Sequence, residues 1–204
     1  MTEQEWLAST DAKAMLQLVV GVRADLPSDP GHSLSVYTFA PRASDRKLRL
    51  FACAIFRRNA AYNPGSFFRK EQEAFAEECE AWVDGGPRPH HSYYFVGIVD
   101  PVASAVYMAD SSWSDHAYAS SVLRCIFGNP FRPSILRCSR CDGDGIVYKL
   151  ALHAYEAHAW DRLPILADAL EEAGCDDVDV LAHLRGPGPH ARGCWALDLV
   201  LGRE

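Results

Sequence analysis

The side chains with the most chemistry to offer lie near the C-terminus, where Cys175, His183, His190 and Cys194 are spaced C-x7-H-x6-H-x3-C. Thiolate and imidazole are the donors zinc takes in closed tetrahedral sites, so this set predicts a structural zinc, the one cofactor the sequence suggests. His190 and Cys194 are four residues apart, which places them on one face of a helix. Cys175 and His183 flank or ride the helix before, and Gly186-Pro187-Gly188-Pro189 folds the two segments back on each other. The spacing is not that of a standard zinc finger, and two alternatives stay open. In one, the thiols are small buried apolar groups while the histidines cap helices or bond the backbone. In the other, the protein is a cysteine-dependent enzyme: Cys194 sits near a helix start, where the macrodipole lowers a thiol's pKa, and His190 is its base. Against catalysis, Trp195 and an apolar run follow Cys194, and a thiol buried among apolar groups is inert. Asp198, one turn on, is expected to pair with Arg185 or Arg192, because an unpaired buried carboxylate is costly.

Other constellations are thinner. Cys138-Ser139-Arg140-Cys141 is half of a zinc ribbon whose second pair is missing at ribbon distance, although His153 and His158 follow at C-x11-H-x4-H. Asp142-Gly143-Asp144-Gly145 resembles part of a calcium loop, but His153 stands where the twelfth-position glutamate belongs. His90-His91, among prolines, reads as surface. The sequence contains no Walker phosphate loop, no dinucleotide-binding glycine pattern, no nucleophile elbow and no H-E-x-x-H.

Composition narrows the class. The 204 residues are 49% hydrophobic and 23% charged, ordinary globular usage that excludes wholesale disorder. The start, Met1-Thr2-Glu3-Gln4-Glu5, is acidic where a secretory leader would be basic, and the longest apolar run is too broken to span a bilayer. Seven cysteines without an export signal predict reduced thiols and a cytoplasmic protein. The net charge is −7 but uneven. Residues 42–70 hold eight bases (Arg42, Arg46, Lys47, Arg49, Arg57, Arg58, Arg69, Lys70) against Asp45, and residues 161–179 hold seven acids against Arg162. Nucleic-acid binding through 42–70 is therefore a second alternative function, opposed by the overall negative charge.

To position these residues the chain needs helices. Apolar spacing predicts them over 3–20 (one or two), after a Ser44 cap through Leu48, Phe51, Ala52 and Ile55, over 68–83, 101–110, 114–127, 146–160, 161–173 capped by Asp161, a short one capped by Asp176 or Asp177, and a final buried one over 191–201. Loops fall at 26–42, 63–65, 128–133 and 186–189, where proline and glycine cluster. One or two short strands are expected in the middle of the chain, at 34–39 and 94–99. The expectation is a mainly α fold: a single helical domain over 1–204, an irregular bundle or helical-hairpin stack, variable over about 60–120, with a C-terminal helical module over about 124–204.

Four stretches, TEQEWLASTD, ASDRKLRLFACA, RCIFGNPFRP and RLPILADALEEAGCDDVDVLAHLRGPGPHARGCWALDLVLG, resemble a paralogous family of uncharacterised bacterial, chiefly planctomycete, proteins. The resemblance implies a helical module with a middle of variable length, and no activity. This chain departs from the family's alanine-rich pattern between Ala60 and Ser120, and its C-x2-C is its own. Cys175, His190 and Cys194 fall within the shared stretch. The reading that emerges is a helical protein-interaction or scaffold module with a structural zinc, whose partner is another protein; the sequence does not fix its oligomeric state.

Overall fold

The first helix, α1 (Glu3–Ala8), starts in a capping box: Thr2 Oγ1 accepts from the Glu5 N–H, and the Glu5 carboxylate accepts from the Thr2 N–H at 2.6 Å. Asp11 caps α2 (Ala12–Val20), which ends at Gly21 in the left-handed region. The remaining helices are α3 (Asp45–Tyr62), α4 (Arg69–Val83), α5 (Pro101–Asp110), α6 (His116–Phe127), α7 (Ile146–Glu156), α8 (Leu163–Glu172), α9 (Val178–Arg185) and α10 (Trp195–Leu201). The structure, a computed structural model, describes residues 1–21, 43–62, 69–89, 101–110, 115–134, 136 and 145–203. Among these the fold is mainly α, as the periodicity predicts, and holds no strand. The strands expected at 34–39 and 94–99, the turn at 63–65, His90-His91, the Cys138–Cys141 pair and residues 142–144 of the calcium-like loop lie outside the described residues.

Two apolar cores share α6. Ala119, Val122, Leu123 and Ile126 face the first, with Trp6 of α1, Met15, Leu16 and Val19 of α2, and Leu48, Phe51, Ala52 and Ile55 of α3; α4 and α5 close it. Cys125 points the other way, into a core built from Val147, Ala151 and Tyr155 of α7, Leu163, Leu166 and Leu170 of α8, Val180 and Leu184 of α9, and Leu197 and Leu201 of α10. Large side chains buried like these each contribute roughly 1.5–3 kcal/mol. At the same junction Arg124 donates to the carbonyls of Trp6 and Ser9, both at 3.0 Å, satisfying the open end of α1, and Trp6 returns a bond from Nε1 to the Gly128 carbonyl at 3.0 Å.

Two ionic clasps also join the halves. In one, Arg46 of α3 reaches Asp198 of α10, Asp84 and Tyr155. In the other, Arg57 of α3 and His158, just beyond α7, both bond Glu80 of α4, at 3.1 and 2.9 Å. His158 holds a left-handed φ of 51°, where a side chain costs about 1–2 kcal/mol relative to the right-handed region. The bond from its imidazole to the buried Glu80 offsets that strain.

Two helix starts differ from expectation. Asp161 does not cap α8; the chain enters through a 3-10 turn at Trp160–Arg162, and Pro164 occupies the first turn, where its missing N–H has no partner to lose. The final helix starts at Trp195 rather than at 191, with Cys194 as its N-cap, because Gly193 takes φ 82° against the Leu50 side chain. Asp177 caps α9 as expected, accepting from the N–H groups of Asp179 and Val180.

Candidate metal centre

Three of the four predicted ligands meet. His183 lies in the last turn of α9, His190 in the loop that follows, and Cys194 at the start of α10. The His183 Nε2 lies 3.2 Å from Cys194 Sγ, and the two imidazoles pack edge to face with centroids 5.1 Å apart. Cys175 does not join them. It is 3% exposed, packs within the second core, and its N–H closes the end of α8 on the Leu170 carbonyl. The fourth member is Cys125 of α6, whose Sγ is 4.0 Å from His190 Nδ1.

The donor atoms of Cys125, His183, His190 and Cys194 all lie within 4.8 Å of one another. Four points that close share a centre no more than about 2.9 Å from any of them, against zinc bonds of about 2.0–2.3 Å. Inward shifts of under about 1 Å therefore bring all four donors to bonding distance of a common centre. Two thiolates and two neutral imidazoles also cancel the charge of a divalent ion, which matters because Cys125 is 1% and Cys194 0% exposed.

The surroundings prepare the donors. His190 Nε2 donates to the Gly186 carbonyl at 3.2 Å, which orients the ring and turns Nδ1 toward the sulfurs; second partners of this kind orient ligands in metal sites. Burial alone would raise the Cys194 thiol, but hydrogen bonds from Cys125, His183 and His190 outweigh it and hold Cys194 well below the usual thiol range. Cys125 moves the other way, well above that range, because its S–H is donated to Cys194 and because it is buried. Burial pushes the His190 imidazole down, while its bonds to Cys194 and the Gly186 carbonyl carry it above its ordinary value. A soft divalent ion takes both sulfurs as thiolates and the rings as neutral imidazoles, so binding releases protons from the cluster. Beside it opens a small cleft of about 180 Å³, walled by Ser121, Arg124, Cys125, His183, His190 and the 186–189 loop.

Sequence reasoning missed Cys125 because its helix reads as core. Its one local signal is that it departs from the stripe of Ala119, Val122, Leu123 and Ile126 on that helix. Asp198 also finds an unexpected partner. Arg46, not Arg185 or Arg192, binds it through two nitrogens at 2.8 and 3.2 Å. Arg185 instead bridges Asp168 and Glu171 on the surface, and Arg192 lies over the Tyr155 ring. Among the described side chains, the bases of 42–70 are engaged by the protein itself. Lys47 donates to the Ile126 carbonyl, Arg57 meets Glu80, and Arg49 and Arg58 cover the rings of Trp82 and Tyr118.

No described helix is long and apolar enough to cross a membrane. No protein-family model, no curated protein and no solved structure matches this chain.

Proposed function

We propose that this chain is a non-catalytic helical module that holds one structural zinc ion on Cys125, His183, His190 and Cys194 and works by contact with another protein in the cytoplasm. The observation that carries the metal reading is the convergence of two sulfur and two imidazole donors, from α6, α9, the loop after it and the start of α10, within 4.8 Å. Sulfur and imidazole favour zinc over the hard oxygen-seeking cations. A set of four protein donors fills a tetrahedron and leaves no open position, which is the pattern of structural rather than catalytic zinc. Cobalt(II) tests it, since the ion replaces zinc and is coloured. Titration of the reduced protein is expected to give thiolate-to-cobalt absorption and the intense visible bands of a tetrahedral site, both lost on adding one equivalent of zinc. Absence of those bands refutes the reading.

Each competing reading meets an opposing observation. For a thiol enzyme, the nucleophile Cys194 is fully buried at the head of a helix whose Ala196, Leu197 and Leu201 are buried too. For nucleic-acid binding, Arg46, Lys47, Arg49, Arg57 and Arg58 are engaged by the protein itself. Binding to DNA or RNA at low salt is expected to be absent; salt-dependent retention overturns that expectation.

A further inference from the structure

Helix α10 is seven residues long, too short to hold a position by itself, yet its N-cap carries one of the two sulfur donors. The Asp198 N–H bonds the Cys194 carbonyl at 2.9 Å, so the donor and the carboxylate share one turn. Two consecutive residues of α3 then grip the two sulfur-bearing helices. Arg46 holds the Asp198 carboxylate through two nitrogens, and its guanidinium is fixed in turn by Asp84 at 3.0 Å and the Tyr155 hydroxyl at 2.7 Å. Lys47 donates to the carbonyl of Ile126, the residue after Cys125, at 2.8 Å, and lies 3.8 Å from Asp198. The Leu50 side chain, one turn on, abuts Gly193, the residue before Cys194.

Resting on the metal reading above, we infer that Arg46 and Lys47 are positioning residues of the metal centre: they set the separation of Cys125 and Cys194, so that ion binding and the docking of α3 on α10 form one cooperative unit. Neither residue is among the four donors. Side chains that orient ligands in this way commonly change metal affinity about 10–100-fold when removed, and linkage makes the effect reciprocal, so the ion must also tighten α3.

Cobalt titration of the full chain tests this, with Arg46→Met, Arg46→Lys, Lys47→Met and, as a control at an exposed charge pair, Lys13→Ala, whose partner is Asp110 of α5. The expectation is cobalt binding about tenfold weaker in R46M and K47M, with altered visible bands, partial recovery in R46K, and no change in K13A. Hydrogen exchange of the unaltered protein supplies a second measurement that needs no variant. Zinc is expected to slow exchange across residues 45–56, a segment without a ligand, as well as around the donors. Wild-type affinity and spectra in both Met variants, or zinc protection confined to the donor segments, overturn the inference while leaving the metal site standing. A wild-type protein that takes up no cobalt removes the metal reading itself, and this inference with it.

Discussion

The clasp at Glu80 yields a prediction that can be worked through in numbers. Glu80 is 3% exposed and holds two partners, Arg57 at 3.1 Å and His158 at 2.9 Å. Breaking a fully buried pair costs about 3–5 kcal/mol, but the Arg57 and His158 side chains are 31% and 29% exposed, and solvent reduces the loss. Glu80→Gln keeps the shape and one acceptor while removing the charge, so about 2 kcal/mol of stability should go at pH 7, or roughly 4–8 °C in Tm for a chain of this size. The pH dependence has a definite sign. Burial pushes the Glu80 carboxyl up, but His158 and Arg57 outweigh it and hold it below its usual value of 4.5. A depressed carboxyl stabilises the fold above its unfolded pKa, and the gain is lost as pH falls through the folded one. Urea denaturation of both proteins should therefore show a gap at pH 7 that shrinks as pH falls below 4.5 and the buried carboxyl takes up its proton. A gap that widens as pH falls below 4.5, or no gap at pH 7, refutes the reasoning.

Further outcomes follow from the same packing. Gly193→Ala puts a methyl 2.8 Å from Leu50 Cδ1 at a φ of 82°, and should cost about 1–3 kcal/mol in urea denaturation; a neutral result contradicts the tight fit at the head of α10. Arg185→Ala removes only exposed pairs with Asp168 and Glu171 and should change stability by less than about 1 kcal/mol; a larger loss gives that bridge a role its exposure does not explain. Native, metal-loaded protein should resist iodoacetamide at Cys194, which is 0% exposed, and react there only after chelation or in denaturant. Rapid native labelling of Cys194 instead supports the thiol-enzyme reading.

What could be read from the sequence was what local pattern encodes. Leu48, Phe51, Ala52 and Ile55 repeat at helical spacing and lie in the first core; Leu163, Leu166 and Leu170 do the same in the second. Asp177 is a cap by residue type and by geometry. The errors fall where partners are distant along the chain. The bonds between Arg46 and Asp198 span 152 residues, and nothing in either neighbourhood selects the other. Cys125 and His190 are separated by 65 residues, whereas Cys175 is close by and of the right type, so proximity in sequence favoured the cysteine that the fold uses to close α8. His158 carries the opposite lesson. Its left-handed backbone reads as a place for glycine, and only the buried Glu80 across the junction explains an imidazole there.

The metal centre stands or falls on which cysteine is a ligand, and elemental analysis of the purified, reduced protein measures that directly. Zinc should be present at one equivalent in the wild type, lost in Cys125→Ser, and retained in Cys175→Ser. A wild-type protein without zinc, or one that keeps it in C125S and loses it in C175S, contradicts the centre described here.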